Sequence, residues 1–247
     1  MFLSKLILNP RQQTVRRDLA DCHLMHRRVL SAFGDANAED ARARFGVLYR
    51  VESDARTGAT VLLMQSVEQP EWTCLPAQYL AESGNAENPA CKFIGERYAA
   101  IEALMRLRFR LRANPTRKID TKTGADGVRR NGKRVELRDE AGQLAWLERK
   151  GTQHGFRLRM VRTIDENKRT GKRGAQSKGD HKGKLLSSPE ESGEYARVPR
   201  LTFASVLFDG ELIVTDAPLF QDALKSGIGT GKAYGFGLLS VALAERE

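Results

Sequence analysis

The chain has 247 residues, 40% of them hydrophobic, with a mean hydropathy of -0.47. That is enough for one large or two small domains with packed cores, and no apolar run approaches the length of a membrane span. The net charge of +10 is unevenly held: residues 1–100 carry 12 Lys/Arg against 12 Asp/Glu, whereas Leu104–Arg138 carries 12 basic and 3 acidic residues. A field that concentrated attracts a polyanion, for which RNA, DNA and an anionic membrane surface all qualify. Cys22, Cys74 and Cys91 are scattered, with no Cys-x-x-Cys pair. This argues against a disulfide framework or a thiolate zinc site and makes a reducing cytoplasm the expected setting.

In chain order, Leu3–Leu8 reads as a strand ended by Asn9-Pro10, which suits those residues better than a secretion signal. From Thr14 to Phe33 apolar residues recur at three- and four-residue steps and predict a helix, with Asp21 positioned to cap a fresh segment after a kink near Ala20–Cys22. Asp35–Ala41 is polar and loop-like. Phe45–Glu52 and Thr60–Ser66 predict a strand pair joined by Ser53–Gly58, Pro76–Leu80 a short helix, and Ser83–Pro89 a loop. Ala103–Arg112 is a strand stopped by Asn114-Pro115, Asp139–Lys150 a helix, and Phe156–Ile164 a strand. Asp165–Glu194, rich in Lys, Gly and Ser, reads as a flexible basic insertion. Thr202–Phe208 and Glu211–Val214 flank Asp209-Gly210, a hairpin signal; Ala217–Leu224 is a short helix and Gly235–Leu243 a strand. The order strand, helix, strand, strand, helix, strand occurs twice. It predicts an α+β protein of two tandem ferredoxin-like domains, an N-terminal one over 1–90 and a C-terminal one over 91–247.

Within Ala103–Arg112, alternation places Arg106, Arg108, Arg110 and Arg112 on one face, with same-face neighbours roughly 6–7 Å apart. That spacing is close to that of successive phosphates, and guanidinium forks suit phosphate oxygens. Nothing within the strand compensates the row. Asn114, Arg117, Lys118, Lys133 and Arg134 extend the patch. Aromatic residues are sparse there, so tracking along a folded RNA stem fits better than stacking on single strands. The segment from Gly227 to Gly237 superficially suggests a P-loop. However, Ser226 and Ala233 stand where glycine and Ser/Thr are required, and the element order is reversed. What remains is a run of backbone N–H groups, Gly229 among them, with Lys232, suited to holding a phosphate.

Of the four histidines, His181 lies in the basic segment and His154 in a turn. His23 and His26 are neighbours on one helical face, with no third ligand nearby to make a metal site. Cleavage of RNA through its own 2′-hydroxyl requires removal of that proton and delivery of one to the leaving 5′-oxygen, and imidazole can do either near neutrality. Arg27 and Arg28 flank His26 and are placed to steady charge on the phosphorane.

Seven stretches in order, Phe2–Pro10, Arg16–Leu30, Phe109–Lys118, Gly132–Val135, Leu144–Lys150, Gly155–Leu158 and Gly227–Ala242, together resemble the CasE family, the repeat-processing subunit of the type I-E CRISPR Cascade complex. The resemblance implies tandem ferredoxin-like domains and metal-independent cleavage at the base of a repeat stem-loop without a cofactor, with a 2′,3′-cyclic phosphate and a 5′-OH as products. It also implies retention in Cascade with the other protein subunits. The family's catalytic histidine falls on His26. Three residues earlier, where the family often has an assisting tyrosine, this chain has His23, whose role stays open between acid, phosphate contact and substitute hydrogen bonder. The basic strand and loop and the glycine-rich segment correspond to the family's RNA-binding elements, and Arg27, beside His26, is expected to contact the RNA as well. A repeat-RNA-binding assembly subunit without cleavage, and an unrelated binder of nucleic acid or an anionic surface, are the alternatives.

Overall fold

The computed structural model describes residues 1–34, 41–82, 84, 87–118, 134–172 and 200–244. Its N-terminal sheet comprises β1 (Phe2–Ile7), β2 (Leu48–Ser53), β3 (Thr60–Ser66) and β4 (Ala90–Phe93) in the antiparallel order β2-β3-β1-β4. Its C-terminal sheet comprises β5 (Arg106–Ala113), β8 (Phe156–Lys172), β9 (Arg200–Val214) and β10 (Leu239–Leu243) in the order β10-β5-β9-β8. Both sheets therefore carry the ferredoxin-like 4-1-3-2 arrangement, and the fold is α+β with the motif in tandem. Between β5 and β8 lie a short ribbon of β6 (Thr116–Lys118) and β7 (Arg134–Glu136), then α5 (Glu140–Gln153). The final helix is α6 (Ala217–Ser226). The shorter helices are α3 (Ala41–Arg44) and α4 (Gly95–Ala99). Because β4 pairs with β1, the N-terminal sheet extends to Phe93.

Each sheet buries its own core. Leu6, Leu8, Val15, Met25, Val29 and Tyr49 belong to the first, and Leu111, Leu147, Phe208, Phe220 and Leu239 to the second. The sheets are joined by polar groups that are buried or largely so. Arg50, 1% exposed, donates through Nη1 to the carbonyls of Arg110 and Leu238 and through Nη2 to Ser240 Oγ. Gln65 Nε2 donates to the Leu224 carbonyl and its Oε1 accepts from Tyr98 Oη. Buried donors with all partners in place favour one relative arrangement of the two sheets over others.

Several expectations are corrected. Asp209-Gly210 is not a hairpin turn but the middle of the continuous strand β9, with Asp209 opposite Arg110 and Gly210 opposite Phe109. Glycine is required there because β8 bulges towards it: a Cβ on Gly210 would lie 2.0 Å from the Met160 carbonyl oxygen. β8 itself runs to Lys172, so Asp165–Lys172 of the expected insertion is strand, and the rest of that segment, His181 included, lies outside the described residues. Gln78, at φ +59, interrupts the helix expected over Pro76–Leu80, and a single helical turn falls earlier, at Trp72–Cys74. β10 starts only at Leu239 because Gly235 and Gly237 are left-handed, with φ of +87 and +88.

Candidate functional site

The helical stretch after β1 is divided, as expected, at Asp21. α1 (Gln13–Ala20) stops, Asp21 adopts an extended conformation (φ -128, ψ 109), and its carboxylate accepts from the N–H groups of His23 and Leu24 at the start of α2 (Cys22–Leu30). α2 buries Cys22, Met25, Val29 and Leu30, which sets His23 and His26 half-buried on a neighbouring face and leaves Arg27 exposed. Nδ1 of each histidine is buried without a hydrogen-bond partner. Burial lowers the His26 pKa to about 4, with the fields of His23 and Arg42 acting in the same direction; the ring is therefore neutral at pH 7.

The wall facing His26 is the glycine-rich segment. Gly231 and Gly235 are both left-handed and bracket a single 3₁₀ turn, Lys232–Tyr234. The turn is pinned by Tyr49 Oη, which donates to the Ala233 carbonyl at 3.1 Å. Its Tyr234 ring meets the His26 ring edge-on, with centroids 6.0 Å apart at 64°. Lys232 Nζ donates to the Ser226 carbonyl at 2.7 Å, and burial, then Arg42 and Lys150, hold its pKa below the usual lysine value.

On the far side of Lys232 lies a cleft of about 380 Å³ into which Arg134, Arg149, Lys150, His154 and Lys232 project, with no carboxylate in its lining among the described residues. Burial and then the neighbouring cations depress Lys150 (Arg149, Arg134) and His154 (Lys150, Lys232). Groups that lower one another's pKa in this way form a concentrated site for an anion. Arg42 links the cleft to His26, since its field reaches both Lys232 and the imidazole.

The expected arginine row has compensation that strand periodicity did not reveal. Arg106 pairs with Glu211 at 2.9 Å. Arg110 is bidentate to Asp209 at 2.7 Å and reaches Glu52 at 3.4 Å. Arg112, 4% exposed, is bidentate to Glu166 at 2.5 Å and donates to the Val51 carbonyl at 2.6 Å. Asp209 holds Arg110 above the usual arginine value. Burial pushes Glu166 up, but Arg112, Ser205 and Arg169 together hold it below the carboxylate norm. Arg108 is the member of the row left exposed. Asn114 is 7% exposed. Arg117, Lys118 and Arg134 are exposed on the β6–β7 ribbon, while Lys133 lies outside the described residues. Arg28 is bound to Asp18 at 2.8 Å and lies over Tyr79, so of the two arginines beside His26 only Arg27 projects freely to solvent.

Sequence reasoning therefore missed Arg42, Arg149 and Lys150, and took His154 for an incidental turn residue. The one signal available was the basic pair Arg149-Lys150 near the end of α5. Among the described residues no group of three metal-binding side chains converges, and no helix is long and apolar enough to cross a membrane.

A neutral imidazole beside a polycationic cleft, on a tandem ferredoxin-like scaffold, defines a nucleic-acid-handling class of protein with acid–base capability. The chain belongs to the CRISPR-associated protein family, whose model matches residues 1–242. It is similar to the CRISPR-associated endoribonuclease Cse3 of Thermus thermophilus, with 34% identity over 98% of this chain and 100% of the relative. It is also similar to the CRISPR system Cascade subunit CasE of Escherichia coli K12, with 30% identity over 98% and 99%. Among solved structures it resembles Cse3 bound to a 19-nucleotide RNA, with TM-score 0.72, 33% identity and coverage of 98% and 100%. It likewise resembles T. thermophilus Cse3 bound to an RNA representing a pre-cleavage complex, with TM-score 0.68, 32% identity and coverage of 98% of both chains.

Proposed function

We propose that the protein is a metal-independent endoribonuclease that cuts CRISPR precursor RNA at the base of the repeat stem-loop in the cytoplasm and remains with the product as a Cascade subunit. The observation that carries the reading is His26: half-buried, neutral at pH 7, and linked through Arg42 to a cleft that has no carboxylate among the described residues. The names of the Cse3 and CasE relatives support the same chemistry and assembly.

A neutral imidazole is competent to take the 2′-hydroxyl proton. The 2′-oxygen then attacks the adjacent phosphorus, the bond from phosphorus to the 5′-oxygen breaks, and that oxygen leaves with a proton from the imidazolium or from water, the imidazole returning to its neutral form. The products are a 2′,3′-cyclic phosphate and a 5′-OH. Arg42, whose charge acts on the imidazole, and the exposed Arg27 next to it in sequence would counter the phosphorane charge. His23 is the second imidazole available to that site. Arg134, Arg149, Lys150 and Lys232, with Arg117 and Lys118 on the ribbon and the backbone around Gly229, would follow the phosphates of the stem. Arg108 is the strand arginine able to join them, whereas Arg106, Arg110 and Arg112 serve the sheets.

A purified-protein assay on a repeat stem-loop transcript tests this. Cleavage in EDTA that is abolished by His26→Ala, with hairpin binding retained, is expected; a deoxyribose at the cut site stops it. Tight binding without product from the parent protein would favour a purely assembling subunit, the alternative that His23 at the tyrosine position keeps in view.

A further inference from the structure

We infer that Tyr234 is a positioning residue for His26, and that its ring, rather than a hydrogen bond, determines where the imidazole points. This rests on His26 as the catalytic group proposed above. Two observations carry it. His26 Nδ1 is buried and has no hydrogen-bond partner, so the carboxylate or carbonyl that usually orients a catalytic imidazole is missing among the described residues. In its place stands an edge-on aromatic contact at 6.0 Å and 64°, inside the range of specific ring–ring packing.

Tyr234 is itself held from three directions. Its N–H donates to the Gly231 carbonyl at 2.8 Å, the preceding carbonyl accepts from Tyr49 Oη on β2, and Phe203 of β9 packs on the ring at 5.0 Å. The left-handed Gly235 that follows has space for a Cβ only 3.3 Å from the Tyr49 ring, so the turn is seated directly on β2. The C-terminal unit thus supplies the wall that orients a side chain on a helix of the N-terminal unit, and the buried polar bonds between the sheets fix the distance.

The contact also shields His26 from water. The charged or titratable groups on the elements around α2 are Lys232 and Tyr234 on the turn, Tyr49 on β2, Arg42 on α3, and Glu166, Lys168 and Arg169 on β8, with Asp21, Cys22 and His23 at the start of its own helix, while Arg28 is bound to Asp18. Of these only His23 and Arg42 act on the ring, both lowering its pKa behind burial, so removing the wall raises the pKa of His26 towards its ordinary value, chiefly by hydration. A base must be unprotonated to act, and the acid side of the pH–rate profile therefore moves to higher pH.

The test is single-turnover cleavage of a repeat stem-loop across pH 4.5–8, with hairpin affinity measured in parallel. Tyr234→Ala is expected to slow cleavage on the order of 10- to 100-fold, to move the acid limb upward, and to change affinity less than about threefold. Tyr234→Phe keeps the ring and is expected within about threefold of the parent, with the parental profile. Tyr49→Phe, a milder change that frees the turn while keeping every ring, shifts rate and profile the same way by a few-fold. The inference is overturned if Tyr234→Ala and Tyr49→Phe both leave rate and profile parental. It is also overturned if Tyr234→Phe is as slow as Tyr234→Ala, or if affinity falls as far as rate. Should His26→Ala cleave like the parent, the assignment of His26 fails, whatever Tyr234 does.

Discussion

Replacing Glu166 by glutamine keeps the side chain's shape and one acceptor but removes the charge that answers Arg112. The two side chains are 23% and 4% exposed, the pair is bidentate at 2.5 Å, and Ser205 Oγ also donates to Glu166 at 2.6 Å. The guanidinium left behind would face Arg50 and Arg169 in a region with little water. Breaking a buried pair from one side costs about 3–5 kcal/mol, and the partial exposure of Glu166 selects the lower end, about 3. For a chain of this size that is a loss of roughly 6–12 °C in melting temperature. Arg112→Met combined with Glu166→Gln removes both charges and recovers about half of it. Because Glu166 is held below the carboxylate norm in the folded protein, its contribution is present above about pH 4.5 and fades as pH falls through the depressed value; the gap between parent and variant closes in acid. Thermal unfolding at pH 7 and pH 4, with hairpin affinity at one salt concentration, is the assay. An unchanged melting temperature together with a tenfold loss of affinity in Arg112→Met would refute the structural role and return the whole row to RNA binding.

Asp21→Ala removes the cap that starts α2 and is expected to cost about 1 kcal/mol and to slow cleavage through His26 displacement, with hairpin affinity little changed; urea unfolding and single-turnover rates check it. Arg149→Ala with Lys150→Ala should weaken hairpin binding and flatten its salt dependence, log K against log salt losing a slope of about 2, while cleavage at saturating protein falls less. Gly210→Ala drives a methyl into the Met160 carbonyl and is expected to cost about 3 kcal/mol in urea unfolding; a loss below about 1 would revive a turn at that point.

How much could be read from residues alone depended on the range of the interaction. The break at Asp21 was legible because a cap is made by groups two and three residues away. The helices at Glu140–Gln153 and Ala217–Ser226 were legible because periodicity and a capping aspartate agree. Asp209-Gly210 misled because glycine needed for close strand approach and glycine needed for a turn look alike in one dimension. β4 escaped notice because four residues carry too short an alternation to signal a strand.

The twofold strand–helix order and the excess of cations after residue 100 were determined by the linear chain, since each rests on local spacing or on composition, whereas spacing offered His26 only as one of a helical pair and the resemblance to the CasE family singled it out. Tertiary structure alone decided which cations are neutralised and which are not. Arg106, Arg110 and Arg112 find carboxylates 105, 99 and 54 residues away, while Lys150, His154 and Lys232 come together with none among the described residues. Electrostatic pairing falls off over a few ångströms of space rather than along the chain, so only the folded arrangement separates a structural lock from a binding cleft.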